Sequence, residues 1–290
     1  MKTFLRFFTT LTAVVLLAAC ASCEIPITRS TGSSDVKDTL EVFFLDVKQA
    51  DCILVKTGNH AMLVDAANRG QDNLVLGYLE QYGVTSLDYL VATHPDADHI
   101  GSMASVIRKM DSIGEIIMPD KTHTTVTFSN LMDAIEEKDL PMRIATPGYV
   151  FQLGEATIQI IAPNGSSYSD MNDWSVVLRI EFGTTTFLLA GDAETKSEGE
   201  QLANNLPLQA DVIKIGHHGS STSSTQSYLN AVSPSYAVIS CGTGNTYRHP
   251  HVETLERLEA MGVEIYRTDL NGTIIFTTDG NEIQISVEID

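Results

Sequence analysis

The sequence predicts a mixed fold, α/β or α+β, in one large domain, and three observations carry that reading. Short apolar runs of strand length, some of them alternating, recur from Leu40 to Val287. Between them lie stretches with apolar residues at helical spacing. The order opens as a strand meander and then alternates strand with helix, once in each half of the chain. Two mixed sheets, each covered by helices on its outer side, account for that order. The chain has 290 residues, 43% of them hydrophobic, enough to fill a globular core.

Leu40–Val47 reads as a partly alternating strand. Cys52–Lys56 and Met62–Val64 follow as short strands about the turn Thr57–His60, in which His60 reads as a solvated turn residue. Asp65 to Ala67 ends the third strand. Leu74–Tyr82 has apolar residues at 74, 75, 78, 79 and 82, a helical period, with Gly83 to close it. Leu87–Ala92 is a central strand, Ile100–Met110 a helix, and Glu115–Met118 a strand stopped by Pro119. Phe128–Lys138 is a helix with Thr127 as its cap. Tyr149–Leu153 and Thr157–Ala162 pair about Gly154, and Val176–Phe182 and Thr186–Leu189 about Gly183. Helices are expected at Glu194–Asn204, Thr225–Ala231 and Val252–Met261, and strands at Asp211–Ile215, Tyr236–Ser240 and Val263–Arg267. Ile274–Thr277 and Glu282–Val287 close the chain as a hairpin.

Residues 1–19 read as a targeting segment and 20–39 as a flexible tether, leaving 40–290 as the folded domain. Lys2 and Arg6 precede an apolar run, Phe7–Leu17, that is too short to span a bilayer. Leu17-Ala18-Ala19-Cys20 then resembles the lipobox of bacterial lipoproteins, which makes Cys20 the expected site of lipidation and Cys23 a weaker one. The expected location is the cell envelope, on its periplasmic or extracellular face, with the membrane reached through that lipid. Cleavage there would remove Lys2 and Arg6 and take the formal charge from −19 to −21. So acidic a composition argues against a broad basic groove for nucleic acid. A polyanion held locally by metal ions stays open, because bound cations invert the local field. In the body of the chain Cys52 and Cys241 each read as a small buried thiol rather than half of a disulfide.

Three loops carry the chemistry. The first, Thr93–Gly101, reads THPDADHIG and follows a buried strand, the place where α/β folds build their sites. It puts His94, Asp96, Asp98 and His99 within six residues, and imidazole with carboxylate suits zinc or manganese. His94 and Asp96 alternate on an extended backbone, while Asp98 and His99 lie where the chain turns into a helix and reach a second position. One of the two carboxylates is also expected to cap that helix. In the second loop, Leu189–Glu194, Asp192 ends a strand and is placed to bridge two ions, or else to cap the next helix. In the third, Lys214–Ser220, His217 and His218 are adjacent and diverge if the chain is extended; one, His218 by preference, would ligate and the other face substrate or support the ligands from behind.

Together and in this order, the loops resemble those of the metallo-β-lactamase fold superfamily, over essentially all of Leu40 to Asp290. Within it they are most similar to the hydrolase domain of ComEC-type competence proteins, on Phe44–Val47, Asp96, Gly191–Glu194, His217–Ser220 and Tyr247–His251. The resemblance implies a four-layer αββα sandwich and two divalent ions, zinc or manganese. His94 and Asp96 would hold one ion and Asp98 and His99 the other. Asp192 would bridge them, and His218 or His217 would complete the second. It also implies that Asp65 supports the metal loop from behind, where the bare residues allow a simple turn, and that His249 touches the substrate phosphate or protonates the leaving group, where they allow a helix start. The branch lacks the histidine that many relatives carry between the first loop and the bridging aspartate; here Asn172 and Ser175 stand in that region. The His94/Asp96 site is therefore expected to lose metal first. Lys48 and Ala50 replace two glycines of the family's opening strand.

The function implied is a metal-dependent hydrolase, a phosphodiesterase or nuclease acting through hydroxide held by the two ions, with Asp98, His217 and His249 as its catalytic residues. DNA is the first substrate class, and a phosphorylcholine ester or other small phosphodiester the second. A lipoprotein that holds a ligand through its metals without turnover is the reading from another class.

Overall fold

Alternation along the strands sorts the apolar residues into three layers. The computed structural model describes residues 38–289. The targeting segment, Cys20, Cys23 and the tether up to residue 37 lie outside the described residues. In the first half the elements are β1 (Leu40–Phe44), β2 (Ile53–Thr57), β3 (His60–Val64), α1 (Asp72–Gln81), β4 (Ser86–Val91), α2 (Ala97–Ile100), α3 (Met103–Lys109), β5 (Ser112–Met118), α4 (Val126–Glu137) and β6 (Met142–Ile144). There follow β7 (Val150–Leu153), β8 (Ala156–Ala162), β9 (Val177–Phe182), β10 (Thr185–Leu189), α5 (Thr195–Ala203), β11 (Val212–Lys214), α6 (Gln226–Val232), β12 (Tyr236–Ile239), α7 (Val252–Ala260), β13 (Glu264–Arg267), α8 (Thr268–Asn271), β14 (Ile274–Thr278) and β15 (Ile283–Val287).

The first sheet runs β15-β14-β1-β2-β3-β4-β5-β6 and the second β13-β12-β11-β10-β9-β8-β7. Each is antiparallel at one end and parallel at the other, the parallel parts being β3 to β6 and β10 to β13. Leu63, Leu90 and Ile116 point outward onto Val75, Leu79, Val106 and Leu131 of the helices. Their neighbours Met62, Val64, Val91 and Ile117 point inward and meet Ile160, Leu178, Phe187 and Val238 of the second sheet. On the far side Leu188, Ile213 and Ile239 pack on Tyr228, Leu229 and Leu258 of α6 and α7. Three apolar seams separate four layers, so the architecture is the αββα sandwich.

Several expectations change in detail. Ile100–Met110 is not one helix but α2 and α3. The Gly101 and Ser102 amides donate to Ala67 and Ala66 carbonyls, each at 2.9 Å, and the chain breaks there. A Cβ on Gly101 would lie 2.2 Å from the Asn68 carbonyl carbon, so only glycine allows this approach. The cap of α4 is Thr125, whose Oγ1 accepts the Phe128 N–H at 3.3 Å, and not Thr127, which is buried inside the first turn. β1 ends at Phe44 rather than Val47, because Lys48 turns at a φ of 65° and donates its N–H to Asp46 Oδ1 at 3.0 Å. His60 opens β3, opposite Thr57, instead of lying in the turn. The edge strand β6 and the one-turn α8 are too short for periodicity to reveal.

Candidate metal centre

The loops that leave β3, β4, β10 and β11 bring their polar side chains to one place. His94, His99 and Asp192 offer ligand atoms within 4.8 Å of one another, and so do Asp98, His99 and His218. His99 Nε2 is 3.3 Å from Asp192 Oδ2. His218 Nε2 is 3.5 Å from Asp192 Oδ2 and 3.5 Å from Asp98 Oδ2. Asp96 is more exposed and belongs to neither group, its Oδ2 standing 3.7 Å from His94 Nε2. It occupies the cap position of α2 but accepts no capping hydrogen bond, and Asp192 is not the cap of α5, a position held by Glu194. The expected capping role is thus absent from these carboxylates.

What aims the rings is their other nitrogen. Asp65, at a φ of 59°, accepts a hydrogen bond from His99 Nδ1–H at 2.7 Å and another from the Thr93 backbone N–H at 2.8 Å. It is therefore a support behind the metal loop and not a plain turn residue. His218 Nδ1 donates to the Ser240 carbonyl at 2.8 Å, and His217 Nδ1 to Glu194 Oε1 at 2.8 Å. His94 Nδ1 lies between Thr93 Oγ1 at 3.2 Å and Ser175 Oγ at 3.3 Å. Ser175 also accepts the Asp192 N–H at 3.0 Å, so it braces two candidate ligands from behind rather than replacing the missing histidine. His217 and His218 do not diverge on an extended chain: both are left-handed, at φ 47° and 53°. That turn sends His218 into the cluster, while His217 Nε2 faces the cavity, 3.9 Å from Asp192 Oδ2.

In consequence His94 Nε2, His99 Nε2, His218 Nε2 and Asp192 Oδ1 are buried without a hydrogen-bond partner. Each such atom costs about 1–3 kcal/mol if nothing meets it. Imidazole nitrogens and carboxylate oxygens gathered in two adjoining groups fit divalent metal ions with mixed nitrogen and oxygen ligands.

Electrostatics agree with that fit. Burial favours neutral His99 and His218, but Asp192 with Asp65 outweighs it at His99, and Asp192 with Asp51 at His218; His99 is held well above its ordinary value and His218 at about 10. Burial and the charge of His99 hold His94 down at about 3. Burial also works against charged Asp98 and Asp192, yet histidine neighbours keep both carboxyls below their ordinary range. Asp96 is raised by burial and by Asp98.

Two residues the motif reading passed over hold the floor of the site. Lys214 is fully buried, with Nζ 2.7 Å from Asp51 Oδ2, 3.2 Å from the Gly191 carbonyl and 3.0 Å from the Ile215 carbonyl. Asp51 in turn lies 3.4 Å from His218 Nδ1. A buried ammonium with three oxygen partners sets the spacing of β10, β11 and the β1–β2 loop. A lone lysine in an apolar strand was the available signal. Above the cluster, Gln49, Asp96, Asp98, Asn172, Asp192, His217, His218, Tyr247 and His249 line a cavity of about 180 Å³. Burial and His217 hold His249 down at about 4, so its ring is neutral at pH 7.

The model of the metallo-β-lactamase superfamily matches residues 45–243. The chain belongs to that superfamily. Its members are generally hydrolases that bind divalent metals. Among curated proteins it is 31% identical over 204 residues to ComE operon protein 3 of Bacillus subtilis, covering 70% of this chain and 26% of that protein. It is 32% identical over 238 residues to competence protein ComA of Neisseria gonorrhoeae, covering 80% and 31%. It is 29% identical over 255 residues to recombination protein 2 of Haemophilus influenzae, covering 86% and 30%. These are ComEC-type proteins, and the chain spans under a third of their length. Among solved structures it is similar to the metallo-β-lactamase fold protein YhfI of Bacillus subtilis, with a TM-score of 0.57 at 13% identity over 83% of this chain and 100% of that one. It is also similar to CmlA, a diiron β-hydroxylase from Streptomyces venezuelae, with a TM-score of 0.54 at 14% identity over 80% and 52%. At such identities the likeness is one of fold. Among the described residues, Cys52 and Cys241 are free buried thiols, and no helix is long and apolar enough to cross a membrane.

Proposed function

We propose that this chain is a metal-dependent phosphodiesterase with DNA or another nucleic acid as its first substrate class, exported and held at the cell envelope by a lipid on Cys20. The observation that carries the metal half is the convergence of four buried, unpartnered ligand atoms from His94, His99, His218 and Asp192. His94 and Asp192 would hold one ion and Asp98, His99 and His218 another, with Asp96 beside the first and Asp192 between the two. Zinc or manganese held there supplies Lewis-acid charge at a phosphoryl oxygen and lowers the pKa of water. The protein does the rest by positioning. Asp65, Ser240 and the Lys214–Asp51 pair fix His99 and His218, and Glu194 turns His217 towards the substrate. The small cavity takes the reacting group and leaves the rest of the substrate outside. Relatives named for competence and recombination support the nucleic-acid class.

The formal charge of −19 favours a second substrate reading, a compact phosphodiester such as a phosphorylcholine ester, because it repels a long polyanion. One experiment covers both. Hydrolysis of bis-p-nitrophenyl phosphate is measured with added manganese or zinc, beside digests of single- and double-stranded DNA and a choline-phosphate ester. Asp192→Ala is expected to lower the rate by at least about 100-fold, the upper end of what losing a residue behind a ligand costs. Wild type and variant at the same background rate, with metal content verified, would sink the enzyme and leave a protein that holds a ligand without turnover.

A further inference from the structure

Gln49 lies between Lys48 and Ala50, where no site residue was expected, yet it lines the cavity beside His249. Its Oε1 accepts the backbone N–H of Gly242 at 3.1 Å, and its Nε2 is 3.3 Å from His249 Nδ1. The two contacts together settle protons that neither settles alone. A backbone N–H only donates, so the Gln49 atom facing Gly242 has to be the oxygen. The other amide atom is then the NH₂ group, which also only donates. His249 Nδ1 therefore accepts and bears no proton. A histidine with one bare ring nitrogen is neutral, and its single N–H is on Nε2.

The surrounding loop is built for this contact. A Cβ on Gly242 would stand 2.7 Å from the Gln49 backbone nitrogen, so glycine is needed for the two loops to meet. Asn245 grips the His249 backbone twice, its Oδ1 accepting the His249 N–H at 2.9 Å and its Nδ2 donating to the His249 carbonyl at 2.6 Å. His249 Nε2 has no protein partner among the described residues, and the ring forms part of the cavity wall.

We propose that Gln49 is a positioning residue: it locks His249 as the Nε2–H tautomer, so that His249 presents a hydrogen-bond donor, and not a transferable proton, to a non-bridging oxygen of the phosphodiester. The acceptor rests on the phosphodiester reading; the tautomer does not. A neutral imidazole polarises an oxygen through its N–H without giving the proton up.

The test is a side-chain ¹H–¹⁵N spectrum of the zinc-loaded full chain at pH 7. The His249 signals are those lost in His249→Gln, or in His249→Asn if the first variant fails to fold. Wild type is expected to show a protonated Nε2 and a bare Nδ1. In Gln49→Glu one carboxylate oxygen keeps Gly242 and the other can only accept, so Nδ1 should become protonated and donate to it. A protonated Nδ1 in wild type overturns the assignment. On a series of aryl phosphodiesters, His249→Leu, which removes the donor, should lower kcat by about tenfold, the worth of one hydrogen bond, equally for good and poor leaving groups. A loss that grows with leaving-group basicity would make His249 a proton donor and overturn the donor role. If wild type cleaves no phosphodiester, the acceptor half falls with the proposed function, while the spectrum still decides the tautomer.

Discussion

At His99 and His218 a proton stands where a metal ion would. Burial disfavours the charge on each ring, yet both are held above their ordinary value, His218 at about 10, because Asp192 and its neighbours supply more negative charge than burial removes. The sign follows directly. In the metal-free protein the charged His218 contributes stability that is fully present below its ordinary value of 6.5 and is lost as pH rises through about 10. Metal ions must expel the same protons, so their affinity should climb with pH across that window. Calorimetric titration of the metal-free protein with zinc at pH 7, in buffers of different ionisation enthalpy, should show net proton release. Uptake, or none, would refute the assignment of His99 and His218 as ligands. Neither shift is legible from HPDADH or HHGS alone, since Asp65, Asp51 and Asp192 reach these rings from other loops.

Among the elements, the break between α2 and α3 decides where His99 sits. A continuous helix would carry Gly101 and Ser102 away from Ala66 and Ala67, and with them the contact that seats the metal loop on the end of β3. Gly101→Ala places a methyl group 2.2–2.4 Å from three backbone atoms and should destabilise the fold by at least about 3 kcal/mol. Gly77 in α1 and Gly199 in α5 have nothing within 4 Å of an added Cβ, so alanine at either should stabilise by about 0.5–1 kcal/mol. Urea midpoints of the three variants check this, and Gly101→Ala matching the other two would show the break to be incidental. Apolar spacing alone made 100–110 look like one helix. It registers which faces are buried, and α2 and α3 bury Ile100, Met103, Val106 and Ile107 at the same spacing whether or not the backbone is continuous.

For the whole molecule, the large negative charge bears on the proposed lipid anchor. Acidic surfaces repel an anionic bilayer, so little besides the anchor would keep this domain there. If Cys20 is the anchor, cells fed labelled fatty acid should incorporate it into the wild-type protein and not into Cys20→Ala, which should appear in the soluble fraction. Label retained in Cys20→Ala would move the anchor to Cys23 or remove it.

Spacing and residue type by themselves determined the alternation of strands and helices, the three loops and the kind of ligand atoms they offer, because each is a local property of a few neighbouring side chains. They also bore on the family, since His94, Asp96, Asp98, His99, Asp192, His217 and His218 come in an order few unrelated chains would share. Only the tertiary structure decided what each residue does there. His218 enters the cluster and His217 the cavity because of a left-handed turn closed against Ser240 and Glu194. Asp51, Lys214 and Gln49 joined the site through contacts between residues 163 apart in sequence for Asp51–Lys214 and 200 apart for Gln49–His249. Such pairings are chosen by packing between sheets and loops, and a hydrogen bond between distant loops leaves no pattern in the residues on either side of it.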